Sequence, residues 1–170
     1  MCINLFKGII QSSGVVQNKL YKRTLFDDIV FRKGKLHEDE FIVYRLFYKS
    51  RNVAVIQSEL YYYQSKREDS ITHSEYNIRR LDAVMAAEEK CLFFSSEGDK
   101  ILYDNAVAAC CRCILENRKK VKRSSLDNKK IIIRQLRGKF WKYYSVILFS
   151  NNINLKRKIG ILFLEVKSLF

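Results

Sequence analysis

The feature that most constrains this chain is a missing residue. There is no proline among its 170 residues, and there are only six glycines. Proline interrupts a helix because it lacks the amide donor and its ring clashes with the preceding turn. Glycine weakens a helix through the backbone entropy it loses on folding. A chain poor in both can run long helices wherever apolar residues recur at intervals of three and four. The second half does this repeatedly. Over 75–96 the apolar positions are Ile78, Leu81, Val84, Met85 and Leu92, with Gly98 beyond them as a stop signal. Over 99–121 they are Ile101, Leu102, Ala106, Ala109, Cys110, Cys113 and Ile114. The spacing predicts a third helix over 127–149, opened by Asp127 and weakened at Gly138, and a fourth over 153–169.

The first part reads differently. A helix is expected over 38–50, with Phe41, Tyr44, Leu46, Phe47 and Tyr48 on a wide apolar face. Glu38, Asp39 and Glu40 stand at its start, where acids suit the positive end of the helix dipole. Val53 to Ile56 and Leu60 to Tyr63 are β-branched and aromatic and predict two short strands. Val15 and Val16 lead into Asn18 to Tyr21 as a third short strand and turn. The expected class is therefore α/β but helix-dominated, with a mixed region over 1–75 and a helical region over 76–170. Hydrophobic residues make up 48% of the chain, enough to build a core.

Charge divides the chain more sharply than hydrophobicity does. Residues 1–117 carry 17 Lys/Arg against 16 Asp/Glu, a net of +1, while residues 118–170 carry 15 against 2, a net of +13. The tail is a cationic device suited to a polyanion, either an anionic lipid surface or nucleic acid. Arg118, Lys119, Lys120, Lys122 and Arg123 begin it. Lys129, Lys130, Arg134, Arg137, Lys139 and Lys142 continue it, interleaved with Ile131 to Ile133, Phe140, Trp141, Tyr143 and Tyr144. Cations mixed with aliphatic and aromatic side chains at helical spacing describe an interfacial helix. A zinc finger, an RNA-recognition signature and a clear recognition helix are all missing, which ranks nucleic acid below a membrane surface. No run approaches the roughly 20 apolar residues of a spanning helix, and the start lacks the pattern of a secretory signal.

Five cysteines occur, at 2, 91, 110, 111 and 113. The number is odd and three are crowded together, so they read as reduced thiols of a cytoplasmic protein and not as a disulfide framework. Cys110, Cys111 and Cys113 sit in an apolar helical run with no histidine nearby, and a zinc site needs about four ligands. No metal site is expected in this chain. His37 and His73 are the only histidines and suggest no catalytic triad.

Three segments stand in a recognisable order: Asn18-Lys19-Leu20-Tyr21, His37-Glu38-Asp39-Glu40-Phe41, and Leu60-Tyr61-Tyr62-Tyr63 followed by Ser70-Ile71. Together they resemble the C-terminal part of bacterial family-2 glycosyltransferases of the GT-A type, which build capsule, exopolysaccharide and lipopolysaccharide chains. The resemblance covers about residues 15–75. It implies the C-terminal remnant of a GT-A mixed sheet, followed by a helical tail. It also implies a role for each acid. Asp39 would be the catalytic base that takes the proton from an acceptor hydroxyl, and Glu38 and His37 would help bind the acceptor. Lys66 and Arg67, in the loop after the tyrosines, would approach the donor diphosphate and offset its growing charge. Gln64 stands where the family usually has an arginine, so charge in this loop is shifted.

The resemblance also implies what the sequence lacks. The family's N-terminal half holds the nucleotide, and its Asp-x-Asp motif holds Mg²⁺ or Mn²⁺ on the diphosphate. No Asp-x-Asp occurs here, nor a glycine-rich phosphate loop. The expectation is a partial, truncated transferase, inactive alone, whose Mg²⁺ or Mn²⁺ arrives only with a separate N-terminal half. Its partners would be a nucleotide sugar, a saccharide or lipid-linked acceptor, and an anionic membrane surface met through 118–170. Its place would be the cytoplasm, peripheral at the inner face of the cytoplasmic membrane. The competing expectation is a basic helical module that binds nucleic acid or an anionic membrane surface.

Overall fold

The computed structural model describes residues 15–62 and 76–169, with side chains of the last helix as far as Lys167. They fall into two compact units, divided between Ser74 and Glu75. Helix dominates the second, the first holds only two 3-10 turns and one short helix among its described residues, and no strand forms among the described residues.

The first unit is small. A 3-10 turn over Arg23–Phe26 and another over Glu38–Phe41 precede the short helix α1, Val43–Lys49. Its core is Ile29, Phe41, Ile42, Val43, Tyr44, Leu46 and Phe47, all buried. The predicted face over 38–50 is thus buried as expected, except Tyr48, which is half-buried. The element itself is broken, because Ile42 leaves helical geometry between the turn and α1. Phe26 packs edge-on to Tyr21 at 5.6 Å and stacks on Phe31 at 6.3 Å, and Arg32 lies over the Phe41 ring at 4.9 Å. Lys49, in the last turn of α1, pairs with Asp28.

The strands expected at Val53 to Ile56 and from Leu60 are not formed. Residues 53–56 and 60–62 lie outside regular secondary structure, and Val55, Ile56, Leu60, Tyr61 and Tyr62 are exposed. A strand is stable only when its backbone groups find a neighbouring strand, and none pairs with them among the described residues. Val15 and Val16 likewise form no ladder. Tyr63, Lys66, Arg67, Ser70, Ile71 and His73 lie outside the described residues.

The second unit is a helical bundle. A 3-10 turn over Ile78–Leu81 leads into α2, Asp82–Ser96; then come α3, Lys100–Arg123, α4, Lys129–Phe149, and α5, Leu155–Leu169. Helix α3 is the centre, packed by α2, α4 and α5. That position explains its sequence. Ala106, Val107, Ala108, Cys110, Cys111, Ile114, Leu115 and Val121 are all buried, on more than one face. Small side chains on a surrounded helix let its neighbours reach the usual interaxial distance of about 8–10 Å. The other helices add Val84, Cys91, Phe94, Leu136, Phe140, Tyr143, Ile147 and Ile161 to the core. Ile78, Met85, Leu92 and Ala109, expected on apolar faces, are exposed.

The connections are short, and two of the three helices that follow them carry a side-chain cap. Gly98 takes a φ of +70° after α2, a conformation glycine reaches without a Cβ penalty. Asp99 then caps α3, accepting the amide of Leu102 at 2.9 Å. Helix α4 starts at Lys129, and Asp127 makes no cap. Asn154 caps α5 by accepting the amide of Arg157 at 2.8 Å.

Candidate functional site

Of the site residues implied by the family resemblance, His37, Glu38 and Asp39 stand together at the second 3-10 turn, while Lys66 and Arg67 lie outside the described residues. The turn's tightness follows from His37, whose φ of +58° places it in the left-handed region. Asn18 also takes a left-handed φ, +60°. They are the only non-glycine residues among the described residues to do so. Such positions cost of order 1–3 kcal/mol and concentrate at working sites. Asparagine tolerates the left-handed region better than most residues, and histidine is also enriched there.

Asp39 is half-buried in the middle of the acidic run Glu38-Asp39-Glu40. Its Oδ1 accepts the amide of Glu40 at 2.9 Å, and the amide of Asp39 itself also favours the charged carboxylate. Burial pushes its carboxyl above the usual aspartate value, and the neighbouring Glu38 adds to the rise. The Glu40 amide and the His37 ring pull the other way without cancelling it. Glu38 is half-buried, and His37 and Glu40 are exposed.

The first motif segment feels the same charge. Burial lowers the Lys19 ammonium while Asp39 raises it. Burial raises the Tyr21 phenol, and Asp39 raises it further. Lys19 Nζ donates to the carbonyls of Val15 at 2.8 Å and Gln17 at 3.3 Å. Tyr21 donates to Val16 O at 3.4 Å. The charge of Asp39 is thus felt in a segment about twenty residues earlier in sequence, although the polar atoms of Lys19 and Tyr21 bond to backbone carbonyls. The sequence marked both segments through their motif order, but Lys19 and Tyr21 as neighbours of Asp39 were missed. Their signal was present in the Asn18-Lys19-Leu20-Tyr21 motif itself.

No group of three or more His, Cys, Asp or Glu among the described residues is placed to hold a metal ion. Cys91, Cys110, Cys111 and Cys113 are free thiols, the first three buried. Cys110 contacts Cys91 through a hydrogen bond that, together with burial, raises its thiol well above the ordinary value. Burial does the same to Cys111. These thiols resist forming the thiolate that nucleophilic chemistry needs.

The second unit has its own polar centre, which the sequence did not announce. Asp104 is wholly buried on α3. It pairs with Lys100 and accepts Ser150 Oγ at 2.6 Å and Asn152 Nδ2 at 2.7 Å. Burial alone would raise its carboxyl, but these three donors together hold it below the usual value. The loop between α4 and α5 is thereby fastened to the start of α3. Lys100, Asp104, Val146, Phe149, Ser150 and Asn152 line a shallow depression beside it. No helix among the described residues is long and apolar enough to cross a membrane. Comparison with known proteins finds no matching family model, no matching curated protein and no matching solved structure.

Proposed function

We propose that this chain carries the acceptor side of a family-2, GT-A-type glycosyltransferase site, with Asp39 as its general base. The supporting observation is the setting of Asp39: a half-buried carboxylate on the turn that follows the left-handed His37, raised above its usual value by burial and by Glu38, with its charge felt by Lys19 and Tyr21 of another motif segment. A base works best when its pKa lies near the working pH, and an aspartate must be moved upward to approach that condition.

In the reaction, an acceptor hydroxyl attacks the anomeric carbon of a nucleotide sugar. The new C–O bond forms as the bond to the nucleoside diphosphate breaks, and Asp39 takes the hydroxyl proton. Glu38 keeps the Asp39 carboxyl proton-hungry, and His37 lies beside them to bind the acceptor. The donor diphosphate would meet Lys66 and Arg67. Nucleotide and Mg²⁺ or Mn²⁺ binding fall to a separate N-terminal half, since this sequence has no Asp-x-Asp. The metal, when bound there, would offset charge on the departing diphosphate.

The test is co-expression with the polypeptide encoded immediately upstream, followed by assay against a panel of nucleotide sugars with Mn²⁺. Transfer is expected from the pair and not from this chain alone. Asp39→Asn is expected to lower the rate by about 10²–10⁴-fold, the usual contribution of a positioned base. Undiminished transfer by Asp39→Asn, or robust turnover by the isolated chain, sinks the assignment.

A second reading is favoured by a separate observation, the net +13 over residues 118–170. On this reading the helical unit binds an anionic membrane surface. The two readings agree if the acceptor is lipid-linked.

A further inference from the structure

Helix α5 is docked the wrong way round for a helix whose only task is to complete a core. The side it turns inward is largely polar. Arg157, Ile161 and Glu165 follow one another at intervals of four along it. Arg157 donates to Asn105 Oδ1 at 2.9 Å and to the Asn105 carbonyl at 3.4 Å. Glu165 forms a buried ion pair with Arg118 of α3, which also donates from Nη1 to Oε1 at 3.3 Å. Among the described side chains of this helix, Ile161 is the one apolar residue that is fully buried. Leu162 and Leu164 sit half-buried at the borders.

The opposite side is apolar and faces solvent. Leu155, Ile159, Phe163 and Val166 are 71%, 57%, 56% and 52% exposed. With 3.6 residues per turn they form one continuous stripe. No charged residue interrupts it. Lys156 and Lys167 border it on one side and Lys158 on the other, and Lys167 lies over the Phe163 ring at 4.6 Å. Soluble helices place their apolar stripe against the core, and α5 does the reverse.

We infer that the Leu155–Ile159–Phe163–Val166 face of α5 is a membrane-docking surface that enters the interface of an anionic bilayer, with the exposed Lys156 and Lys167 reaching to lipid phosphates, while Lys158 is held by the Leu148 carbonyl at 2.9 Å. This rests on the second reading above and sharpens it to one helix and one face. Charge selects the occupant. The surroundings are strongly cationic, so a second copy of this chain would bring like charges together. Nucleic acid would satisfy the lysines but leave four large apolar side chains in water. An anionic bilayer supplies both phosphates and an apolar layer, which is the pattern of interfacial helices.

The experiment uses the full chain and vesicles of phosphatidylcholine with or without phosphatidylglycerol. Binding is read by flotation, and depth by quenching of Phe163→Trp, in a Trp141→Phe background, with brominated lipid. Circular dichroism checks that each variant keeps its helices. The expected result is flotation with phosphatidylglycerol vesicles, strong quenching at position 163, and about tenfold or greater loss of binding in Ile159→Ser/Phe163→Ser. Lys156→Gln/Lys167→Gln should bind more weakly and with less dependence on salt. Absence of flotation by the wild-type chain overturns both this inference and the second reading. Flotation without quenching, unchanged by Ile159→Ser/Phe163→Ser, leaves the electrostatic reading standing and overturns the docking face. Self-association abolished by Phe163→Ser, or nucleic-acid binding weakened by it, also overturns the docking face.

Discussion

Asp39 and Asp104 are both aspartates withdrawn from water, and their partners push them in opposite directions. Asp104 has three donors, and its carboxyl falls below the ordinary value of 3.8. A lowered folded-state value means the group stabilises the fold above the unfolded-state value and loses that contribution as pH falls through the folded one. Asp104→Ala leaves Ser150 and Asn152 without their acceptor and is expected to cost about 3 kcal/mol. Asp104→Asn is expected to remove part of the acid-side loss. Urea midpoints measured from neutral pH down to pH 3 check both.

Asp39 shows the reverse sign. Its raised value means that ionisation is worse tolerated in the folded chain, so it detracts from stability as pH rises past the usual aspartate range. Asp39→Asn should therefore leave stability unchanged or raise it slightly at neutral pH, by less than about 0.5 kcal/mol after solvent screening. It should do this while removing transfer. A purely structural aspartate would behave oppositely, losing stability on substitution. Thermal melts at neutral pH distinguish the two. Of this pair, only Asp39 was legible in the sequence, because a motif surrounded it. Asp104 carried one local hint, Lys100 four residues before it. Its decisive partners, Ser150 and Asn152, are more than forty residues away in sequence and meet it only through packing.

At the scale of elements, periodicity was a good guide where a helix has one clear inner face and a poor guide elsewhere. The four helices expected after residue 75 all form, with ends shifted by a few residues. Gly98 ends α2 as its position suggested. Its φ of +70° is strained for any residue with a Cβ, although nothing lies within 4 Å of where that atom would go. Gly98→Ala is thus a conformational penalty with no clash, expected to cost about 1 kcal/mol in a denaturation midpoint. The short apolar runs at 53–56 and 60–62 were the misleading elements. Their β-branched and aromatic residues fit a pleated surface, yet propensity of this kind depends on neighbours that sequence spacing does not supply. Helix α5 was misleading in another way. The sequence predicted a helix over 153–169, but nothing in its spacing said that Leu155, Ile159, Phe163 and Val166 would face outward.

That orientation depends on the Arg118–Glu165 pair, both partners of which are nearly withdrawn from solvent. Arg118 Nε is buried without a hydrogen-bond partner, so the guanidinium is not fully compensated. Glu165→Leu alone would strand a buried cation and is expected to cost about 3–5 kcal/mol. Arg118→Met combined with Glu165→Leu removes both charges and should recover most of that loss, because apolar replacements of buried pairs are often neutral. A double-mutant cycle by chemical denaturation reads the difference. Equal losses in single and double variants would show that shape at this contact matters more than charge.

For the molecule as a whole, several polar fastenings lie within the helical unit itself. Asp104 ties α3 to the loop after α4, Lys139 of α4 pairs with Glu88 of α2, and Tyr76 donates to Asn117 at 2.7 Å. Burial pushes the Tyr76 phenol up to about 12, as suits a hydroxyl held as a donor. Arg157 and Glu165 fasten α5 to the same central helix. Each partner lies between residues 76 and 170, as do the apolar residues that surround α3. Residues 76–170 expressed alone are therefore expected to unfold in one cooperative transition and to keep their helical signal. They also hold the cationic stretch and the α5 stripe, so the fragment should float with phosphatidylglycerol vesicles as the full chain does. Asp39 lies outside the fragment, so the fragment should not complement the upstream half in sugar transfer. Cooperative melting, flotation and a transfer assay on the one fragment would thus separate scaffold, membrane surface and catalytic base. A fragment without a cooperative melt would overturn its independence, and one that restored transfer would remove Asp39 from the chemistry.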